Sequence, residues 1–106
     1  MSISYRRYEI LIPSRYNDGR EIPEGLFVET LFALRNRFGA VSSETQVIEG
    51  EWENAGTVYR DQNFRMFVDV PDTAEHREFF LGFKAVLKER FAQLEIWITS
   101  HPIDVL

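Results

Sequence analysis

FRMFVDVPDTAEHREFFLGFKAVLKERF, residues 64–91, decides the fold. In its first seven residues Phe64, Met66, Val68 and Val70 alternate with Arg65, Phe67 and Asp69, the period of a strand with one face buried. Pro71 ends that strand. Asp72 or Thr73 can cap a helix, and Glu75 stands three residues after Asp72, the spacing of a capping box. Phe79, Phe80, Phe83, Val86, Leu87 and Phe91 then recur at helical spacing and predict one apolar helix face. A half-buried strand feeding directly into an amphipathic helix is one half of a sheet with helices packed on one side.

The other half lies upstream. From Tyr5 to Ile12 the residues Tyr8, Ile10 and Ile12 alternate with Arg7, Glu9 and Leu11, which predicts a first strand. Pro13 to Pro23 is bracketed by prolines and contains Asn17-Asp18-Gly19, so it reads as a surface loop. Beyond Pro23, Phe27, Leu31, Leu34 and Phe38 mark a helix, with Val28 and Phe32 widening the stripe and Gly39 as its stop. Alternation from Val41 through Ser43, Thr45 and Val47 predicts a second strand to Ile48, extending towards Trp52. Glu53-Asn54-Ala55-Gly56 is turn chemistry, and the stretch from Gly50 to Asn63 is long for a hairpin connection. A last strand is expected over Leu94–Thr99, with Leu94, Ile96 and Ile98 inward, followed by a short tail.

The predicted order is strand, helix, strand, strand, helix, strand. With right-handed crossovers this is an α+β, ferredoxin-like βαββαβ sandwich: one domain over residues 1–106, a four-stranded antiparallel sheet and two helices on one face. Helices cover one sheet face only. Leu11, Phe67 and Trp97 point to the other and are expected to form a contiguous apolar stripe, the mark of an interface.

Composition narrows the chemistry. The 106 residues include no cysteine, which removes disulfides, thiolate nucleophiles and cysteine metal sites. No stretch approaches the ~20 apolar residues of a membrane span, and nothing at MSISYRRYEI resembles a signal peptide, so the expected location is cytoplasmic. The net charge of −5 opposes nucleic acid: Glu9, Glu44, Asp69 and Glu95 surround the stripe against Arg7 and Arg65, although RNA recognition motifs stack bases on this same sheet face. There is no Walker loop, dinucleotide glycine fingerprint, nucleophile elbow or paired-histidine zinc helix. No cofactor or metal is assigned.

Two segments remain as binding candidates. Arg15 and Arg20 flank the Gly19 turn at the entrance to the first helix, where a helix N-terminus favours anions. Trp52, Tyr59 and Asp61 sit in the long hairpin, where the aromatic pair either meets a ligand or holds the hairpin together. Of two histidines, His76 reads as part of a solvated helix face, while His101 follows a strand end and precedes Pro102.

Trp52, Glu53, Gly56, Val58 and Asp61 resemble the Trp-x-Gly-x-[Ile/Val] segment with its following acidic residue in the PII and CutA group. His101, Pro102, Asp104 and Val105 resemble that group's His-Pro-[Tyr]-[Asp/Glu]-Val segment, with Ile103 at the tyrosine position. The resemblance implies trimers that pack open sheet faces inward, clefts between subunits and long hairpins that contact partners. It supplies no catalytic residue. The reading is a non-enzymatic regulatory or interaction module that self-associates through Leu11, Phe67 and Trp97. It would present Arg15, Arg20, Trp52, Tyr59, Asp61 and His101 to a small ligand or protein. Two alternatives stand beside it: a small metal-dependent nuclease similar to the Cas2 and VapD dimers, with Asp18 as its acidic residue, and an accessory or antitoxin-like subunit.

Overall fold

The computed structural model describes residues 3–44 and 46–106. The elements are β1 (Tyr5–Pro13), α1 (Glu24–Phe38), β2 (Ser42–Ser43), β3 (Ile48–Asn54), β4 (Thr57–Pro71), α2 (Ala74–Arg90) and β5 (Trp97–Ile103). Every strand pairing is antiparallel, in the order β2-β4-β1-β5, with β3 also on β4. This is the expected α+β arrangement with one more strand.

Alternation builds the core as predicted. Tyr8, Ile10 and Ile12 from β1, Met66, Val68 and Val70 from β4, and Ile96 are buried against Leu34 of α1 and Phe80, Phe83 and Leu87 of α2, with Phe91 just beyond it. Each such side chain contributes about 1.5–3 kcal/mol by leaving water. Tyr8 stacks on Phe80 at 4.1 Å, and Phe38 stacks on Phe80 at 5.4 Å, so aromatic contacts join the first strand to both helices. Val28, Phe32 and Val86, expected on the inner stripes, are exposed instead. Buried Thr30 takes the place between α1 and α2: its hydroxyl donates to the Leu26 carbonyl and accepts from Arg90.

The helix ends follow local chemistry. Gly39 closes α1 with φ +83°, its N–H donating to the Arg35 carbonyl, a conformation that glycine adopts without a Cβ clash. At α2 the cap is Thr73, whose hydroxyl accepts from the His76 N–H. The expected Asp72–Glu75 box does not form, because Asp72 pairs with Arg6 at 3.1 Å and Glu75 with Arg37 at 3.4 Å. His76 is also less solvated than its neighbours imply. It is half-buried edge-on to Phe38, with Nδ1 2.7 Å from the Pro71 carbonyl.

Two strand boundaries depart from the alternation pattern. The second strand splits: among the described residues its first part is the short strand Ser42–Ser43, opposite Phe67 and Met66. Glu44 then donates its N–H to the Arg65 carbonyl and binds the Arg65 guanidinium. The expected continuation at Thr45 lies outside the described residues. Ile48–Asn54 forms a separate strand that pairs with Thr57–Asn63 through a two-residue turn at Ala55 (φ 53°) and Gly56 (φ 81°). Left-handed values at both central positions match the twist of a tight hairpin. What the sequence presents as a long connection is therefore a strand pair.

The last strand begins and ends later than expected, at Trp97 and Ile103. After α2 the Gln93 N–H donates to the Lys88 carbonyl and Ala92 adopts φ 51°, so residues 91–95 complete a turn and Leu94 stays 89% exposed rather than inward. His101 and Pro102 consequently lie inside β5. The proline is tolerated because β5 is an edge strand, where one N–H faces no neighbour.

Candidate functional site: one sheet face from Trp97 to Trp52

β4 is fifteen residues long and serves two pairings in succession. Residues 63–71 pair with β1, and residues 57–63 pair with β3, Asn63 standing opposite both Pro13 and Ile48. The register runs through Asn63 without a break, so Tyr59 and Asp61 lie on the same side as Arg65, Phe67 and Asp69. The hairpin β3–β4 projects from the sheet as an arm, and the molecule extends 51 × 30 × 25 Å.

On the arm, three predicted residues come together. Trp52 faces Tyr59 directly across the strands, with ring centroids 4.4 Å apart and planes at 17°. The indole N–H of Trp52 donates to Asp61 at 2.8 Å. The cross-strand pair thus holds the hairpin together, yet Trp52 remains 50% exposed and offers an aromatic surface. The opposite side of the arm carries Glu49, Glu51, Glu53, Val58, Arg60 and Gln62, all exposed, with Glu51 and Arg60 paired at 3.0 Å.

The open face of the sheet differs from the expected stripe. Leu11 and Trp97 are direct partners, and Trp97 is 63% exposed, but Phe67 stands opposite Glu9 one row away. Phe67 lies between two guanidinium groups, Arg7 at 4.3 Å and Arg65 at 4.9 Å. Arg7 holds Asp69 through two hydrogen bonds of 2.7 and 2.9 Å, and Arg65 bridges Glu9 on β1 and Glu44 after β2. Both guanidiniums are held above the usual arginine range, Arg7 chiefly by the hydrogen bond to Asp69 and Arg65 chiefly by that to Glu9. A contiguous apolar stripe is therefore replaced by an aromatic and aliphatic surface interleaved with matched ion pairs. His101 joins this face, opposite Arg7.

Arg15 and Arg20 are engaged within their own loop. Arg20 binds Asp18 at 2.6 Å, and Arg15 donates to the Gly19 carbonyl and lies 3.6 Å from Glu21. Hydrogen bonds from Arg20, the backbone N–H first, hold the Asp18 carboxyl below its usual range. The two arginines do not reach the Trp52 group. Arg15 instead lines a shallow depression of about 400 Å³ at the root of the arm, with Ile22, Phe27, Val47 and Phe64. Among the described residues no group of three histidine or acidic side chains is disposed to hold a metal ion, Asp18 included. Among the described residues no helix is long and apolar enough to cross a membrane.

Solved structures with this architecture are CutA1 of Oryza sativa (TM-score 0.66, 9% identity, 98% of this chain and 84% of that one) and the divalent cation tolerance protein CutA1 of Thermus thermophilus (0.65, 17%, 95% and 85%). The fold is that of the CutA1 proteins. It is shared with a phage SAM lyase in complex with S-methyl-5′-thioadenosine (0.68, 11%, 99% and 92%). No family model and no curated protein matches the sequence. At these identities the likeness is one of fold, consistent with the CutA resemblance of the hairpin and the His101-Pro102 segment, and a fold of this kind hosts more than one chemistry.

Proposed function

We infer that the chain is a non-enzymatic interaction module that self-associates through its open sheet face, as a trimer in preference to a dimer. One observation supports this reading above the others. The uncovered face is continuous along β4, from Leu11 and Trp97 through Phe67 and Arg65 to Asp61, Tyr59 and Trp52. A two-stranded ribbon is marginal on its own in water, and in this arm the residues from Glu49 to Asp61 pair with one another across the hairpin. Two exposed tryptophans at the ends of one face fit the aromatic anchors of protein contacts.

The ion pairs favour a like partner. Arg7 with Asp69, and Arg65 with Glu9 and Glu44, are already hydrogen-bonded within one copy, so the face can be covered without leaving isolated charges. In this reading Leu11, Phe67, Trp97 and His101 lie in the contact. Trp52, Tyr59 and Asp61 present the ligand or partner surface, with Arg15 at the root of the arm and Arg20 in the adjoining loop.

Absolute mass by light scattering, for the wild type and for Trp97→Ser with Phe67→Ser, tests the reading. A wild-type trimer that the double variant dissociates supports it, and a monomer in both overturns it. The first small molecule to assay by thermal shift is S-methyl-5′-thioadenosine, the ligand of the phage lyase, with Trp52→Ala as the control.

A further inference from the structure

We propose that the acidic side of the arm docks on a basic stripe of α2 in a second copy of the chain. The inference rests on self-association and names a contact that the open face alone does not require.

Two surfaces with opposite charge are left over after the internal pairs are drawn. On the arm, Glu49, Glu51 and Glu53 project from the side opposite Trp52, around the exposed Val58. Glu49 and Glu53 have no ion-pair partner among the described residues, and Glu51 shares Arg60. On α2, Arg77, Leu81, Lys84 and Lys88 follow one another at helical spacings of four, three and four, which places them within about 60° of the helix circumference. Leu81 is exposed at the middle of this stripe, and Arg77 and Lys88 have no ion-pair partner among the described residues.

The dimensions agree. Glu49 to Glu53 spans about 13 Å of strand, and Arg77 to Lys88 spans about 17 Å of helix, a difference that long lysine and arginine side chains cover. Val58 and Leu81 supply an apolar contact within each charged set.

The contact cannot form within one copy. β3 and β1 occupy opposite sides of β4, whereas Lys84 reaches Glu95 beside the start of β5 at 2.9 Å, so the stripe flanks the far edge of the sheet. Arm and stripe therefore sit at opposite edges, and their pairing is head to tail, the kind of contact that closes a ring when the rotation per copy allows. It also supplies the support that an isolated hairpin lacks.

Charge reversal tests the proposal. Arg77→Glu with Lys88→Glu, and separately Glu49→Lys with Glu53→Lys, are each expected to weaken assembly at least tenfold by light scattering over a dilution series. The fourfold variant, with both surfaces reversed, is expected to recover the wild-type mass. Circular dichroism identifies any variant that fails to fold, and about 0.5 M salt, which screens exposed charges, is expected to weaken the wild-type assembly in the same direction. Unchanged assembly in both reversed pairs, or no recovery in a folded fourfold variant, overturns the docking. If Trp97→Ser with Phe67→Ser still dissociates the protein in that case, the open-face reading stands without it. A monomeric wild type overturns both.

Discussion

Trp52 stacks on Tyr59 across the arm at 4.4 Å while its indole N–H is fixed on Asp61, so one aromatic plane is anchored at both its face and its edge. The stack is expected to contribute about 0.5–1.5 kcal/mol beyond area burial. A double-mutant cycle with Trp52→Ala and Tyr59→Ala, read as opening free energies from amide hydrogen exchange in β3, should return a coupling in that range. Additive single effects would show that the two rings do not support each other in solution.

Ala55 holds φ 53° at the tip of the same arm, a conformation that an alanine adopts at a cost of about 1 kcal/mol. Ala55→Asn should therefore slow exchange of the arm amides several-fold, while leaving those of residues 66–70 unchanged. Faster exchange would place the tip in a different turn.

Arg65 is the only cation bonded to both Glu9 and Glu44 among the described residues, and its side chain is 23% exposed. Arg65→Met should destabilise the fold by about 1–2 kcal/mol in urea. The two carboxylates then lack their shared cation. A variant as stable as the wild type would mean that the bridge does no more for the fold than water does for the separated groups.

Glu95 lies below the usual carboxylate range because Lys84 donates to it, with the Ile96 N–H as the second cause. A folded-state value below the unfolded one means that the stabilisation is complete above the unfolded value and is lost as pH falls through the folded one. Carbon-detected NMR titration should show Glu95 moving up in Lys84→Met. An unmoved midpoint would assign the shift to Ile96 instead.

Thr73→Ala should cost about 1 kcal/mol by leaving the His76 N–H without its acceptor, equivalent to about 4–8 °C in Tm. Asp72→Ala, which removes an exposed pair with Arg6, should cost less. The reverse order would restore the box that the spacing of Asp72 and Glu75 predicts.

Much of the fold is legible from short-range pattern. Alternation in Tyr8, Ile10 and Ile12 and in Met66, Val68 and Val70 names the buried face, and Gly39 marks the helix end, because burial and backbone sterics act on neighbouring residues. The errors have a common physical origin. The second strand breaks after Glu44, whose N–H and carboxylate both bind Arg65 twenty-one positions away, and pairing resumes at Ile48 two residues out of register with Ser42 and Ser43. Phe67 reads as apolar surface, yet two arginines from different strands cover its ring. Arg15 and Arg20 read as candidate anion binders, and sequence alone does not show that Glu21 and Asp18 of the same loop engage them. Alternation also carries the information that Trp52 shares a face with Phe67, once Tyr59 and Phe67 are counted along one strand. That step requires knowing that Gly50–Asn63 is strand rather than loop.

The unbroken register of β4 makes it a ruler shared by the arm and the sheet. A single residue inserted between Asp61 and Phe64 would invert the arm relative to the body, turning Trp52 towards the helix side and the glutamates towards Trp97, because strand side chains alternate with a period of two. Insertions of two residues would lengthen the arm and keep its handedness. Length variation in this segment is thus constrained to even steps, a parity rule imposed by one hydrogen-bonded strand rather than by any side chain at the insertion point.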